Sequence, residues 1–302
     1  MCSSAEERND LSDINTTVMK ERDQVIENIR LAVREGRYND KVEVGDPVLS
    51  EQEVRHLLYK FLTHKESPVY GTGNFIANRI ADMATWHINR ETRIFGLEKL
   101  LAVKHRSAII TSNHFSPVDN TILRHLLAHE GLGKLLVISQ DTNFAMRGLT
   151  GFLLKYIDAI PISHDQGYMA SFFFEQLDEA VRQNRWILMY PEAEMWYNYR
   201  KPRPCRKGAY FYAHKLGVPV ISCFVKIDDE RTDPQLGPDK LRYALYVLAL
   251  IYPDASMSCK EDSERMRDLD YRLKVAAYES VYGKALDYTF ESWDIAGLKE
   301  EA

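Results

Sequence analysis

A histidine stands five residues ahead of an aspartate in the run His114-Phe115-Ser116-Pro117-Val118-Asp119. A neutral imidazole titrates close enough to ambient pH to take the proton of a hydroxyl as that hydroxyl attacks an acyl carbon such as that of a thioester. It does this well only when its ring is oriented. A carboxylate that accepts the Nδ1 proton leaves Nε2 free and stabilises the imidazolium that forms. Residues five apart do not face one another on a regular helix, so the two must meet across a turn, which Ser116-Pro117 supplies. The same Asp119, followed by Asn120 and an apolar-periodic run, also reads as a helix cap, which would leave His114 an ordinary buried histidine.

A second constellation follows the apolar run Trp186 to Tyr190. It opens with Pro191-Glu192-Ala193-Glu194 and continues through Arg200, Lys201, Arg203, Arg206 and Lys207 to a helix start near Gly208. Arginine forks bind phosphate oxygens bidentately, and a helix N-terminus adds backbone donors, so Arg203, Arg206 and Lys207 are candidate phosphate ligands. A solvated basic loop accounts for the same charge run without any ligand.

Both constellations need a frame. The short apolar runs Ala108 to Thr111, Leu135 to Ser139, Ala159 to Ile162, Trp186 to Tyr190, Val218 to Val225 and Tyr243 to Ile251 read as strands. Between them, Thr121 to His129, Phe144 to Tyr156, Met169 to Arg182 and Gly208 to Leu216 repeat apolar residues at helical spacing, and Ser263 to about Leu286 reads as a closing helix. The alternation predicts an α/β fold with a mixed, largely parallel central sheet flanked by helices. Ahead of it, Ser50 and Glu53 form a capping box before Val54, Leu57, Leu58 and Phe61, and Phe75 to Ile88 reads as another helix. Residues 1–92 are therefore expected to be an acidic arm and a helical N-terminal extension, with residues 93–302 the α/β domain. The segment up to Pro47, charged and turn-rich, reads as a mobile or loosely docked arm with a short helix from Val25 to Val33.

Composition sets limits. A chain of 302 residues with 45% hydrophobic content has ample core for one large domain, and a net charge of −5 argues against nucleic acid as a partner. Cys2, Cys205, Cys223 and Cys259 are widely separated and read as free thiols. Met1 to Lys20 has no apolar signal segment, and no stretch approaches the length of a membrane span, so a cytoplasmic location with at most peripheral membrane contact is expected. His125 and His129 have metal-ligand spacing, but Glu130 follows rather than separates them and no third ligand is evident, so no metal is expected. The aromatic residues Trp196, Tyr197, Tyr199, Tyr210, Phe211 and Tyr212 fit either a lipid interface or core packing.

Asn113-His114 through Asp119, then Tyr190-Pro191-Glu192, then Gly217-Val218-Pro219-Val220 stand in the order and approximate spacing of three motifs of the glycerolipid (PlsC-like) acyltransferase family. From Ile94 to Val225 the chain resembles bacterial 1-acylglycerol-3-phosphate acyltransferases. The resemblance implies His114 as the base, Asp119 as its partner and Glu192 at the acyl acceptor. It also implies acyl-CoA or acyl carrier protein as co-substrate, no cofactor, a lysolipid acceptor, and attachment to the inner face of the membrane. The sequence departs from the family at Asp158-Ala159-Ile160-Pro161-Ile162-Ser163-His164, where His164 takes the place of a phosphate-binding arginine. It departs again at Ala193, where glycine is common, and at Glu194, which adds negative charge. These changes leave two acceptor classes open, 1-acylglycerol-3-phosphate and a lysolipid without a phosphomonoester such as a lyso-glycolipid or amino-lipid. A non-catalytic lipid-binding protein of the same fold and a hydrolase are further alternatives.

Overall fold

A computed structural model describes residues 21–104, 106–229 and 241–298. Cys2 and most of the acidic N-terminal stretch lie outside the described residues. The frame is a seven-stranded mixed sheet. Its strands are β1 (Arg93–Phe95), β2 (Ala108–Thr111), β3 (Leu135–Gln140), β4 (Ala159–Ile162), β5 (Trp186–Met189), β6 (Val220–Asp228) and β7 (Arg242–Ile251), in the order β1-β7-β6-β2-β5-β3-β4. All neighbours pair parallel except β6 and β7, which are antiparallel with an irregularity between Ser222 and Cys223. The expected α/β architecture with preceding helices is the one observed.

The central strands are buried on both faces, which is why β2 (AIIT) and β5 (WILM) are continuous apolar runs. Alternate residues serve opposite faces. Ile110 and Leu188 join Ile122, Leu123 and Leu126 of α4 (Asn120–His129) on one side. Ile109 and Ile187 join Leu177 of α7 (Phe174–Arg182), Ala213 of α8 (Gly208–Leu216) and Met266 of α9 (Cys259–Tyr282) on the other.

Several boundaries differ from the sequence expectation. The helix expected from Phe144 begins at Gly148, whose φ of +66° separates α5 (Gly148–Tyr156) from a 3-10 turn at Asp141–Ala145. The helix containing Met169 starts earlier, as α6 (Gln166–Tyr168), and continues into α7 through a π-helical turn at Met169–Phe173. β1 was not anticipated, because three residues at a sheet edge carry too little pattern.

Two helices lie between the arm and the sheet. α2 (Glu51–Lys65) has the expected capping box, Ser50 and Glu53, and α3 (Pro68–Asn89) starts one turn after it with Pro68 at its first position. α3 buries a stripe of small and polar residues, Gly73, Ala77, Ala81, Thr85 and Asn89. Gly73 lies so close to the Tyr156 ring that a Cβ there would come within 2.3 Å of it. Asn89 Nδ2 donates to Thr121 Oγ1 at 2.8 Å. The opposite side of α3 leaves Val69, Phe75, Ile76, Met83 and Trp86 exposed.

The arm is a correction. Residues 21–34 form α1, and Val25, Ile26, Ile29, Ala32, Val33 and Val42 pack with Trp196, Tyr199 and Ile295 in a third apolar cluster. Residues 21–44 are thus docked rather than loose, because one face of α1 buries enough apolar area to hold it. No helix among the described residues is long and apolar enough to cross a membrane.

Candidate active site

The parallel strands β2, β5, β3 and β4 deliver their C-terminal ends to one edge of the sheet, the edge where α/β folds assemble ligand sites. Beyond β2, the Asn113 side chain continues the ladder: its Nδ2 donates to Val225 O at 3.0 Å and its Oδ1 accepts from Val225 N at 2.8 Å. The chain then turns through Phe115 and Ser116 into α4.

Asp119 stands at the N-terminus of α4 but makes no side-chain cap hydrogen bond there. Its carboxylate points back into the turn instead. Oδ2 accepts from the Phe115 N–H at 2.9 Å and the Ser116 N–H at 3.2 Å, and lies 2.8 Å from His114 Nδ1. Oδ1 accepts from the Tyr190 hydroxyl at 2.5 Å. An ionised carboxylate only accepts, so Nδ1 carries the proton in this pair and Nε2 presents a lone pair. Asp119 is buried while the His114 side chain keeps 20% of its surface exposed, so the carboxylate is shielded and the imidazole is reachable. The helix-cap alternative does not describe this aspartate.

Tyr190, at the end of β5, was not singled out for a role in the sequence. Its ring stacks on the His114 ring with centroids 3.8 Å apart and planes 10° from parallel. Burial, reinforced by the Asp119 charge, pushes its phenol well above the ordinary value, so it stays protonated and donates. An aromatic residue closing a buried strand reads as core in a sequence; only its contact with the imidazole distinguishes it.

Glu192 lies beneath the same loop. Its Oε2 accepts from the backbone N–H of His114 at 3.2 Å and from an Arg203 guanidinium nitrogen at 2.9 Å, while Oε1 accepts the Arg203 backbone N–H at 2.9 Å. Arg203 in turn donates to the carbonyls of Tyr38, His114 and Glu194 and lies 4.6 Å from the centre of the Trp196 ring. Both side chains are almost wholly buried, at 1% and 2% exposure. The pair brackets the N–H and carbonyl of His114 and sets the loop from below. The sequence points Glu192 to the acceptor and Arg203 to phosphate; in the fold their polar atoms are engaged with each other and with backbone.

The rest of the basic cluster divides by burial. Arg200 pairs with Asp229 and Lys201 with Asp294, both cations being buried in structural contacts. Arg206 is exposed, held beside the site by its backbone N–H to Pro191 O at 2.7 Å, and Lys207 at the start of α8 pairs with Glu264 at 3.0 Å. His164 is exposed after β4, on the same edge as His114 but three strands away, about 14 Å at ordinary strand spacing. Ala193 adopts φ +71°, a left-handed backbone that disfavours any side chain. Glu194 accepts from Gln140 Nε2 at 2.5 Å.

Trp196, Tyr199 and Tyr210 are core residues, whereas Phe211 is exposed. His129 bonds its neighbour Glu130 at 2.8 Å, and among the described residues no group of three or more His, Cys, Asp and Glu side chains could hold a metal ion. Behind the end of β2, Asp270 accepts from Thr111 Oγ1 at 2.7 Å and from the Tyr210 hydroxyl at 2.5 Å, and pairs with Lys274, all fully buried.

No curated protein matches the sequence. A solved structure, the 1-acyl-sn-glycerophosphate (LPA) acyltransferase PlsC from Thermotoga maritima, is similar to 78% of this chain and 98% of its own, at 14% identity and a TM-score of 0.47. A protein-family model described as Acyltransferase matches residues 92–226, from just before β1 into β6. Residues 92–226, the segment similar to the acyltransferase family, carry His114, Asp119, Tyr190 and Glu192 on one sheet edge.

Proposed function

We propose that this acyltransferase moves a fatty acyl group from an acyl-CoA or acyl carrier protein thioester to a hydroxyl of a lysolipid. The observation that carries the reading is the His114–Asp119 pair, with Nδ1 engaged and Nε2 open. In this reaction His114 Nε2 takes the acceptor's hydroxyl proton as its oxygen bonds to the thioester carbon. The tetrahedral intermediate then expels the thiolate, which receives that proton from the imidazolium, so base and acid are the same ring. Asp119 holds the tautomer and the charge; no covalent enzyme intermediate is needed. Arg206, exposed beside Pro191, and Lys207 are suited to phosphate on either substrate.

The exposed apolar residues of α3, with Phe75, Met83 and Trp86 each at least 65% accessible, support docking on a lipid surface at the inner face of the membrane. Turnover of a labelled acyl thioester by the purified protein with a panel of lysolipids tests the reaction. Transfer to a lysolipid that disappears in His114→Ala supports it; equal transfer by that variant rejects it. Flotation with phospholipid vesicles, lost when Phe75, Met83 and Trp86 are replaced by serine, tests the surface.

A lysolipid without a phosphomonoester is the second reading. It is favoured by the exposed His164 where an arginine would bind phosphate, and by the engagement of Arg203 with Glu192.

A further inference from the structure

Glu194 brings a carboxylate without an ion pair to the His114 edge of the sheet. Glu192, two residues earlier, pairs with Arg203, and Asp119 is engaged by His114 and Tyr190. The Glu194 side chain instead meets a neutral partner among the described residues, the Gln140 amide at 2.5 Å. Glu194 and Gln140 are both half-buried, so the carboxylate stays open to a ligand.

Contacts fix its place. The carbonyl oxygens of Glu194 and His114 accept from the same Arg203 guanidinium nitrogen, which keeps them within about 6 Å, two hydrogen-bond lengths. The Glu194 N–H donates to Glu192 O at 3.0 Å, and the Glu192 side chain accepts the His114 N–H at 3.2 Å. Strand register places the far end of the side chain. Leu188 of β5 pairs with Ile110 of β2 and with Val137 of β3, so three residues further along each strand Asn113 and Gln140 stand level on either side of β5. Ordinary strand spacing puts them about 10 Å apart. His114 follows Asn113, and the Glu194 carboxylate lies at Gln140.

We propose that Glu194 is a specificity residue that takes a hydrogen bond from an ammonium or hydroxyl group on the headgroup of a lysophospholipid, beyond its phosphodiester, while the lipid's glycerol hydroxyl is acylated at His114. The inference rests on the acyl-transfer reading for the hydroxyl at His114, and it narrows the acceptor class. An ionised carboxylate only accepts, and one bonded to a single neutral amide has room for a charge-assisted donor. In a 1-acyl lysophospholipid the ammonium of an ethanolamine headgroup, or the nearer hydroxyl of a glycerol headgroup, is roughly eight bonds from the free glycerol hydroxyl. That is about 9 Å when extended, the span from the His114 turn to Gln140. A phosphomonoester ends after roughly five bonds, about 6 Å, and brings like charge. A choline headgroup has the reach and the charge but no N–H to donate.

The test separates binding from transfer. Calorimetric titration of the full chain with short-chain lysolipids bearing ethanolamine, glycerol, choline or phosphomonoester headgroups is compared for wild type, Glu194→Gln and Glu194→Ala, with transfer from a labelled acyl thioester followed in parallel. Glu194→Ala is expected to weaken the ethanolamine and glycerol lipids about tenfold or more, and to leave the choline and phosphomonoester lipids within about threefold of wild type or tighter. Glu194→Gln, which keeps a carbonyl acceptor but no charge, is expected to recover more of the glycerol lipid's affinity than of the ethanolamine lipid's. Unchanged binding of the ethanolamine and glycerol lipids by Glu194→Ala overturns the proposal. So does equal weakening of all four lipids, choline included, or failure of the wild type to bind either donor-bearing lipid. The Glu194-dependent binding profile without transfer by the wild type would leave the Glu194 assignment standing and reject the acyl-transfer reading. Transfer by a wild type whose binding is indifferent to Glu194 would do the reverse.

Discussion

Tyr190 and His114 are stacked ring on ring, 3.8 Å apart, and both reach Asp119, the tyrosine through its hydroxyl at 2.5 Å and the histidine through Nδ1 at 2.8 Å. One carboxylate thus anchors the imidazole and the ring stacked on it, and Tyr190 limits the imidazole's tilt while Asp119 limits its rotation. The imidazole is held by two side chains, Asp119 at the start of α4 and Tyr190 after β5, rather than by the turn alone.

Replacing the base is the plainest prediction. His114→Ala should lower acyl transfer by about 10²- to 10⁴-fold, measured as turnover of a labelled thioester. The urea midpoint should stay close to wild type, because the side chain is partly exposed and Asp119 retains three other donors.

Tyr190→Phe keeps the stacked ring and removes the donor to Asp119. The lost hydrogen bond to a buried carboxylate should cost about 1.5–3 kcal/mol of stability in a denaturant titration. Turnover should fall with KM nearly unchanged, since the hydroxyl meets Asp119 and not the substrate.

Glu192 and Arg203 make a buried pair whose removal from one side strands a charge. Arg203→Met alone should destabilise by about 3–5 kcal/mol, and Glu192→Gln with Arg203→Met should recover part of that loss. A double-mutant cycle on unfolding free energies checks it. Additive losses would contradict the pairing.

Ala193 carries a methyl group in left-handed backbone at φ +71°. Ala193→Gly should relieve about 1 kcal/mol of strain, partly offset by the greater freedom of glycine in the unfolded chain, and so raise the midpoint slightly. Thermal unfolding of the two proteins reads it.

Glu43 links stability to pH. Its carboxyl is raised from 4.5 to about 7 in the fold, chiefly by burial and then by Asp46, against the pull of the Tyr197 N–H, His114 and Lys41. Between those values the native chain holds a proton that the unfolded chain has released, so the favourable contribution is complete below about pH 4.5 and is lost as pH rises through about 7. Glu43→Gln has no such loss. Urea midpoints at pH 5 and pH 8 should show the variant gaining on wild type at the higher pH.

Much of the frame was legible from the order of residues, for a physical reason. A strand covered on both faces must be apolar throughout, so Ala108–Thr111 and Trp186–Met189 announce themselves, and a helix packed on them must repeat at 3.6 residues, as α4 and α8 do. The His114–Asp119 pair was legible because it is local: a turn of five residues closes it wherever the turn is placed. Relationships across the fold were not. Asp270 and Lys274, four apart on α9, have the spacing of a surface ion pair, and only the packing of α9 against the sheet shows them wholly buried with Thr111. Arg203 and Arg206 are alike in a basic run, yet the fold spends one on Glu192 and leaves the other in solvent. Tyr190 became a partner of the His114 ring through the parallel pairing of β2 and β5, and residues 38–40 reached the loops around His114 because α1 and Val42 bury apolar surface within a charged, turn-rich segment. Sequence alone determined the elements and the local His114–Asp119 turn; tertiary structure decided which charges are neutralised, which are exposed, and which residues from distant segments meet the His114 loop. Those outcomes depend on burial and on contacts between strands and helices far apart in the chain, which no local pattern encodes.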